Sequence, residues 1–334
     1  MSSRMAGISV ALTDVFMGAL RPKKSEPCVL RRLLLVGVPA YLLYRIGKRL
    51  VFAGVPMLAG IPIRGANVVV TGASEGIGAA LGEVLAEKGA ARVFLLARTQ
   101  AKLQNVADTI ETKHPGVAVV CPVNCSDPAA VSVTAKHIMG ECPNGAPDVL
   151  VNCAGAGRWT FLHDMPEEEI RDCLDAPYLA AAYTSRAFLP AMVKHNRGAI
   201  VNVQSPAGYS AWPGATAYIA ARWALRGLGE ALRADLYGFS ITVQDVVFGE
   251  VSSNYFKANQ VQASSIPWIA SMLIPTLTPR QAAEHLAVAI ERGETLHVRP
   301  VMLRVILALH SLMPGVVNYL VVKTAGAKWS RESV

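Results

Sequence analysis

The chain is 334 residues long, 52% hydrophobic and only 17% charged, against about 25% charged in an average soluble domain. That length holds one large α/β domain or two smaller ones. The formal net charge of +8 sits entirely in residues 1–64, where ten lysines and arginines face two acids, and residues 65–334 carry no net charge. Positive charge interleaved with aliphatic runs argues against a nucleic-acid surface and fits anionic lipid headgroups. The six cysteines form no CxxC pair and no ligand-like spacing with the seven histidines, so no metal site is expected, and the thiols read as reduced, in a cytosol-facing domain.

In chain order, Leu33 to Tyr44 is the first uncharged run, of twelve residues. As a helix it would span ~18 Å, short of the ~30 Å hydrocarbon core of a bilayer. Arg45, Lys48 and Arg49 follow, then an apolar stretch from Leu50 to Ile63 broken by Pro56 and Pro62. Three arrangements stay open: a tilted span carrying those charges, an interfacial hairpin that keeps them at the headgroups, and an extension packed on a partner. A cleaved signal peptide is not expected, because the apolar run starts so late. A mitochondrial targeting peptide over residues 1–24 stays open. Residues 1–64 are therefore assigned to a basic, apolar, membrane-associated extension.

Next, Asn67-Val68-Val69-Val70 reads as a buried strand, and Thr71-Gly72-Ala73-Ser74-Glu75-Gly76-Ile77-Gly78 leads into a helix carrying Leu81, Val84 and Leu85. Three glycines on a strand-to-helix turn suit a pyrophosphate. Gly72 makes the tight turn, Gly76 admits close backbone approach, and Gly78 lets helix and strand pack. Strands are predicted at 67–71, 92–97, 117–122, 148–153, 199–203, 240–247 and 296–299. Helices are predicted at 76–88, 100–113, 129–140, 167–194 (interrupted at Pro177) and 214–237. Thr278-Pro279-Arg280-Gln281 reads as a capping box with proline at the first helical position. Strands alternating with helices imply a doubly wound parallel sheet, Rossmann-like, of about seven strands in one domain over 65–300. The apolar lid candidate 261–277 carries Ile266, Trp268, Ile269, Met272, Leu273 and Ile274. Residues 301–334 add an apolar end suited to a membrane or a dimer contact, not to a span.

The second strand ends at Ala97-Arg98. No acid stands where a free ribose hydroxyl would be held, and Arg98 suits a 2′-phosphate, which favours NADP(H) over NAD(H). Asn124 follows the third strand, Asn152-Cys153-Ala154-Gly155 spans the end of the fourth, and Ser205 follows the fifth. Tyr218 lies thirteen residues beyond Ser205.

Together these motifs resemble the short-chain dehydrogenase/reductase family over about residues 65–300. The stretch from Ala217 to Leu232 looks most like its membrane-bound lipid branch, such as 3-ketodihydrosphingosine reductases and long-chain 3-ketoacyl or hydroxysteroid reductases. The resemblance implies Tyr218 as proton donor, Ser205 as the group polarising the carbonyl, and Arg222 where the family has lysine one helical turn after the tyrosine. It implies cofactor contacts at Thr71, Gly72, Ser74, Gly76, Ile77, Gly78, Arg98, Asn124, Asn152, Ala154, Gly155 and Gly249. Three positions depart from the family pattern: Arg222 for lysine, Pro177 for a helix asparagine, and Phe248 for the proline before Gly249. On sequence alone three outcomes stand for Arg222→Lys: a higher rate if arginine is an imperfect lysine, which is preferred, a lower rate if the site is rebuilt around arginine, and no turnover if the protein is a scaffold. The implied function is hydride transfer between NADP(H) and a ketone or secondary alcohol on a lipid, sterol or acyl chain. The alternative is a non-catalytic member that binds NADP(H) as scaffold or sensor. The expected location is the endoplasmic reticulum membrane with a cytosol-facing domain, or else the mitochondrion. Expected partners are a membrane surface and a second copy of the chain, with no nucleic acid.

Overall fold

The computed structural model describes residues 59–259, 261 and 266–326. The expected extension over 1–58, part of the lid at 262–265, and the tail 327–334 lie outside the described residues. Seven strands form one parallel sheet: β1 (Asn67–Thr71), β2 (Arg92–Ala97), β3 (Ala118–Pro122), β4 (Val149–Asn152), β5 (Gly198–Gln204), β6 (Ile241–Phe248) and β7 (Leu296–Arg299). Their spatial order is β3-β2-β1-β4-β5-β6-β7. The chain builds outward from β1 to β3, then returns to lay β4 on the other side of β1. The crevice opens at the carboxyl ends of β1 and β4, where the winding reverses.

β1, β4, β5 and β6 are buried along their whole length, as a sheet covered on both faces requires. One face carries α1 (Gly76–Glu87), α2 (Gln100–Glu111) and α9 (Pro279–Arg292), whose Leu81, Leu85, Leu103, Ile110, Leu286 and Ile290 share a core with Val68, Val70 and Val201. The other carries α3 (Pro128–Glu141), α5 (Ala180–His195) and α6 (Thr216–Asp235), with Ile138, Phe188, Met192 and Leu232 against Val69, Phe94 and Leu150. Each such side chain contributes roughly 1.5–3 kcal/mol by leaving water.

Local chemistry fixes the helix ends. The Asp127 carboxylate caps α3 by accepting from Ala129 N (2.9 Å) and Ala130 N (3.1 Å). Asn196, at φ +46°, stops α5 in the left-handed region. The capping box expected at Thr278 and Gln281 is present at α9.

The predicted helix over 167–194 is one path with a defect: α4 (Glu167–Leu174), a π turn at Asp175–Leu179, then α5. Pro177 lies inside that turn. Its ring has no N–H and crowds the carbonyl one turn back, so the ladder takes an extra residue instead of breaking.

Two domain boundaries need correction. Ile61 and Ile63 are buried, and Ile61 N donates to Ile290 O at 3.1 Å, so these two side chains join the domain core and the stretch 60–64 packs on the domain. Leu303 and Ala325 are buried too. The C-terminal segment therefore packs on the domain, as α10 (Val301–Leu312) and α11 (Pro314–Thr324). Two short helices, α7 (Tyr255–Ala258) and α8 (Trp268–Leu273), lie between β6 and α9.

Candidate active site

The crevice begins at the glycine turn. Gly72 and Gly76 have φ of +67° and +58°, values that a β-carbon disfavours. A Cβ on Gly72 would come within 2.8 Å of Ala154 Cα, and one on Gly78 would overlap the Gly72 carbonyl oxygen. These two glycines thus close the turn and seat α1. Gly76 meets only the Ser253 side chain, at 3.5 Å, so its backbone stays open to the crevice. Glu75, at the N-cap of α1, makes no side-chain cap. The first N–H groups of that helix are therefore offered to an anion, together with the helix's positive end.

A cavity of about 990 Å³ runs from this turn along the crevice. Ser74, Ile77, Arg98, Asn124, Ala154, Gly155, Ser205, Tyr218, Arg222 and Gly249 all line it, as do the three glycines. Two expected contacts do not. Thr71 is buried beneath the wall, where its Oγ1 accepts from Cys153 N and Ala154 N, both at 3.0 Å. It positions the β4 loop and does not face the cavity. Asn152 lies in a buried polar chain across three strands. Its Nδ2 donates to Asn202 Oδ1 (3.0 Å) and Ser185 Oγ (3.2 Å), and its Oδ1 accepts from Thr184 Oγ1 (2.8 Å). Asn202 passes the chain to Asp245, which pairs with Arg233 at 3.0 Å. Burial pushes the Asp245 carboxyl up, and Arg233 opposes that. The signal for this network was two asparagines, Asn152 and Asn202, and one aspartate, Asp245, within mostly apolar strands.

At the cavity's middle, Ser205 ends β5 and Tyr218 sits in the first turn of α6, held one turn before Arg222. Tyr218 and Arg222 are both buried. The guanidinium lies 5.2 Å from the Tyr218 ring centroid and donates through Nη1 to Val203 O at 3.0 Å. A Cβ on Gly155 would fall 2.7 Å from its Nη2, so glycine at 155 makes room for arginine's bulk. Burial works against the charge on Arg222, but the phenols of Tyr218 and Tyr255 outweigh it and the group stays cationic. Its buried Nε has no partner among the described residues. Pro177 is buried and absent from the wall, which its neighbours Asp175 and Ala176 line instead. The polar group that the family places on that helix has no equivalent at 177.

Beyond Tyr218 the wall turns aromatic. Trp159 lies 5.4 Å from Tyr218, 5.3 Å from Trp212 and 6.0 Å from Phe256, and Tyr255 lies 6.3 Å from Tyr218. Trp159 Nε1, Trp212 Nε1 and the Tyr255 hydroxyl are buried without a hydrogen bond of normal geometry. Burial pushes the Tyr255 phenol well up, nearby Tyr218 adds to this, and Arg222 opposes it. These residues, from two loops and the short helix α7, escaped the sequence reading, since nothing in their local pattern marks them as packed together. Further out, Ile269 and Leu273 of α8, Leu303 and Leu307 of α10, and Val317 and Val321 of α11 form an apolar end.

Comparison with known proteins agrees with this geometry. A family model described as short chain dehydrogenase matches residues 66–263. An uncharacterised oxidoreductase of Mycobacterium tuberculosis is 35% identical over 234 residues, covering 68% of this chain and 64% of that protein's length. A 3-ketodihydrosphingosine reductase of Cryptococcus neoformans is 29% identical over 250 residues, covering 72% of this chain and 74% of that one. The solved short-chain dehydrogenase of Sphingobium yanoikuyae in complex with NADPH shares the fold at a TM-score of 0.64 and 22% identity, covering 75% of this chain and 93% of that one. The chain therefore belongs to the short-chain dehydrogenase/reductase family.

Proposed function

We propose that the protein is an NADP(H)-dependent oxidoreductase that interconverts a ketone and a secondary alcohol on a lipid-like substrate. The carrying observation is that Ser205, Tyr218 and a buried cation share one cavity with the glycine turn. The residues present fit a phosphorylated dinucleotide. The glycine turn leaves backbone and uncapped N–H groups open, and Arg98 is exposed on the cavity wall with no ion pair among the described residues. Lys102 adds a second cation there, held loosely by Glu75 at 3.5 Å.

When bound, NADP(H) supplies or accepts the two electrons and the hydrogen exchanged at the substrate carbon. The chain handles the proton and the oxygen. Tyr218 donates its phenolic proton to the carbonyl oxygen, and Ser205 Oγ–H donates to the same oxygen and polarises it. Arg222 keeps a positive charge beside the phenol and favours the phenolate left after transfer, without itself giving up a proton. The buried indole N–H of Trp212, and that of Trp159 beside the Tyr255 hydroxyl, are donors for a further substrate oxygen, and the apolar end beyond them takes a chain. The name of the fungal relative, a reductase of a long-chain keto base, supports that substrate class.

Membrane attachment through residues 1–58, with the catalytic domain facing the cytosol from the endoplasmic reticulum, completes the proposal. It rests on the basic and apolar composition of that segment. A second reading, a non-catalytic binder of NADP(H), is favoured by Arg222 and by Pro177, which removes the family's helix asparagine. The test is NADPH consumption by full-length protein with long-chain 3-oxo lipids in mixed micelles. Turnover that Tyr218→Phe abolishes supports the enzyme. NADPH binding without turnover across the panel supports the binder.

A further inference from the structure

Helices α8, α10 and α11 pack on one another at the apolar end of the cavity. On α10, Leu303, Ile306, Leu307 and His310 recur at helical spacing and face the cavity. The opposite side of the same helix should be polar, as on any helix at a protein–water boundary. Instead it carries exposed Val301, Val305 and Leu312. The pattern repeats next door. Val316 and Tyr319 on α11 are 54% and 61% exposed, and Trp268 and Met272 on α8 are 59% and 65% exposed. Isolated exposed apolar residues are ordinary, but a contiguous group of this kind marks a contact surface.

Its charge narrows the occupant. Residues 266–278 hold no charged side chain, and residues 300–326 hold no acid, only Arg304, Lys323 and His310. Arg304 and Lys323 are exposed, and Lys323 Nζ lies 5.6 Å from the Tyr319 ring. Apolar side chains edged by cations, with tryptophan and tyrosine among them, match the boundary between acyl chains and anionic headgroups. The helices are 12 and 11 residues long, about 18 and 16 Å at 1.5 Å per residue. No helix among the described residues is long and apolar enough to cross a membrane. These helices would therefore lie in the interface, not span it. Leu273, Leu309 and Leu320 are at once exposed and part of the cavity wall, so the cavity opens through this same face.

We infer that the face built by α8, α10 and α11 rests on an anionic lipid bilayer and opens the cavity directly into it. This goes beyond attachment through residues 1–58 and does not depend on the redox reading. A lipid would then reach Tyr218 without crossing water.

Spin labels on the full-length chain test the inference. One cysteine is added at a time, at Met272→Cys or Val316→Cys, with Val133→Cys at an exposed position of α3 as reference, in a Cys28→Ser background that keeps the other five cysteines and is itself labelled as the blank. Collision with oxygen and with a water-soluble nickel chelate is measured with and without vesicles of phosphatidylcholine and phosphatidylserine. The expected result is that vesicles raise oxygen access and lower nickel access several-fold at 272 and 316, while 133 stays aqueous. Labels at 272 and 316 that remain nickel-accessible on vesicles overturn the inference. So does shielding already present without lipid. With dipolar broadening between labels, that shielding identifies a second copy as the occupant; without it, it identifies another part of the same chain.

Discussion

Arg222 shows how one substitution is absorbed. Read in sequence it is an imperfect lysine, and restoring lysine should raise the rate. The geometry favours the other outcome, a site rebuilt around arginine. The guanidinium donates to Val203 O at 3.0 Å, stacks beside Tyr218 and occupies the space left by Gly155. An ammonium cannot reproduce a planar fork that bonds sideways while stacking. Arg222→Lys is therefore predicted to lower kcat by roughly one to two decades, the worth of one charged hydrogen bond at ~1.5–3 kcal/mol. An unchanged or higher kcat in steady-state assays would show that only the charge matters. Arg98 sits at the other end of the cavity. Arg98→Ala should weaken NADPH binding by a similar one to two decades and leave NADH binding nearly unchanged, as read by titration of the reduced cofactor's fluorescence. The thiols make a third test. Burial pushes Cys121, Cys125 and Cys153 up to about 12, from an ordinary value near 9. Cys121 and Cys125, both buried, should resist alkylation at pH 8 in the folded protein, and half-buried Cys153 on the cavity wall should react more slowly than an exposed thiol. Because the folded-state value is raised, their contribution to stability is whole below about pH 9 and is lost as pH climbs toward 12. Urea midpoints should fall across that window, and midpoints flat from pH 8 to 11 would contradict the burial.

Among the elements, the strands and their end residues were the most legible. Each of the seven predicted strands is present within one residue of its expected bounds, because a sheet buried on both faces needs short runs rich in Val, Ile and Leu. Gly72, Ser205, Tyr218 and Arg222 were legible for a related reason: their positions are set by where a strand stops or a helix turns. Asn152 was read as a cofactor contact but ties β4 to β5 and α5. Nothing local distinguishes an amide aimed into the sheet from one aimed into the crevice. Asn152→Ala would take the amide donor from buried Asn202 Oδ1 and Ser185 Oγ, while Thr184 Oγ1 keeps its bond to Ala180 O at 2.7 Å. It is predicted to cost ~1–3 kcal/mol in denaturant unfolding for each group left unpaired. A loss below half of that would mean the network is not what joins these strands. The helix defect at Pro177 was legible as an interruption, but not as a π turn, since proline allows either a break or an added residue.

At the scale of the whole molecule, the fold brings together what the sequence holds far apart. Trp159, Trp212 and Tyr255 come from the three connections that follow β4, β5 and β6, the last of them through the short helix α7. Their convergence follows from strand order, which local pattern does not encode. The C-terminal segment was expected as an apolar membrane or dimer contact, and it also lines the cavity and continues the core through Leu303. The central claim is that this one cavity carries electrons from NADPH to a lipid carbonyl with Tyr218 as proton donor. The most direct measurement supplies NADPH deuterated at the transferring position, with a long-chain 3-oxo lipid in anionic vesicles, and reads the product by mass spectrometry. The account predicts a single deuterium at the new carbinol carbon with the unaltered protein and none with Tyr218→Phe. Unlabelled alcohol, or labelled alcohol formed equally well by Tyr218→Phe, would contradict it.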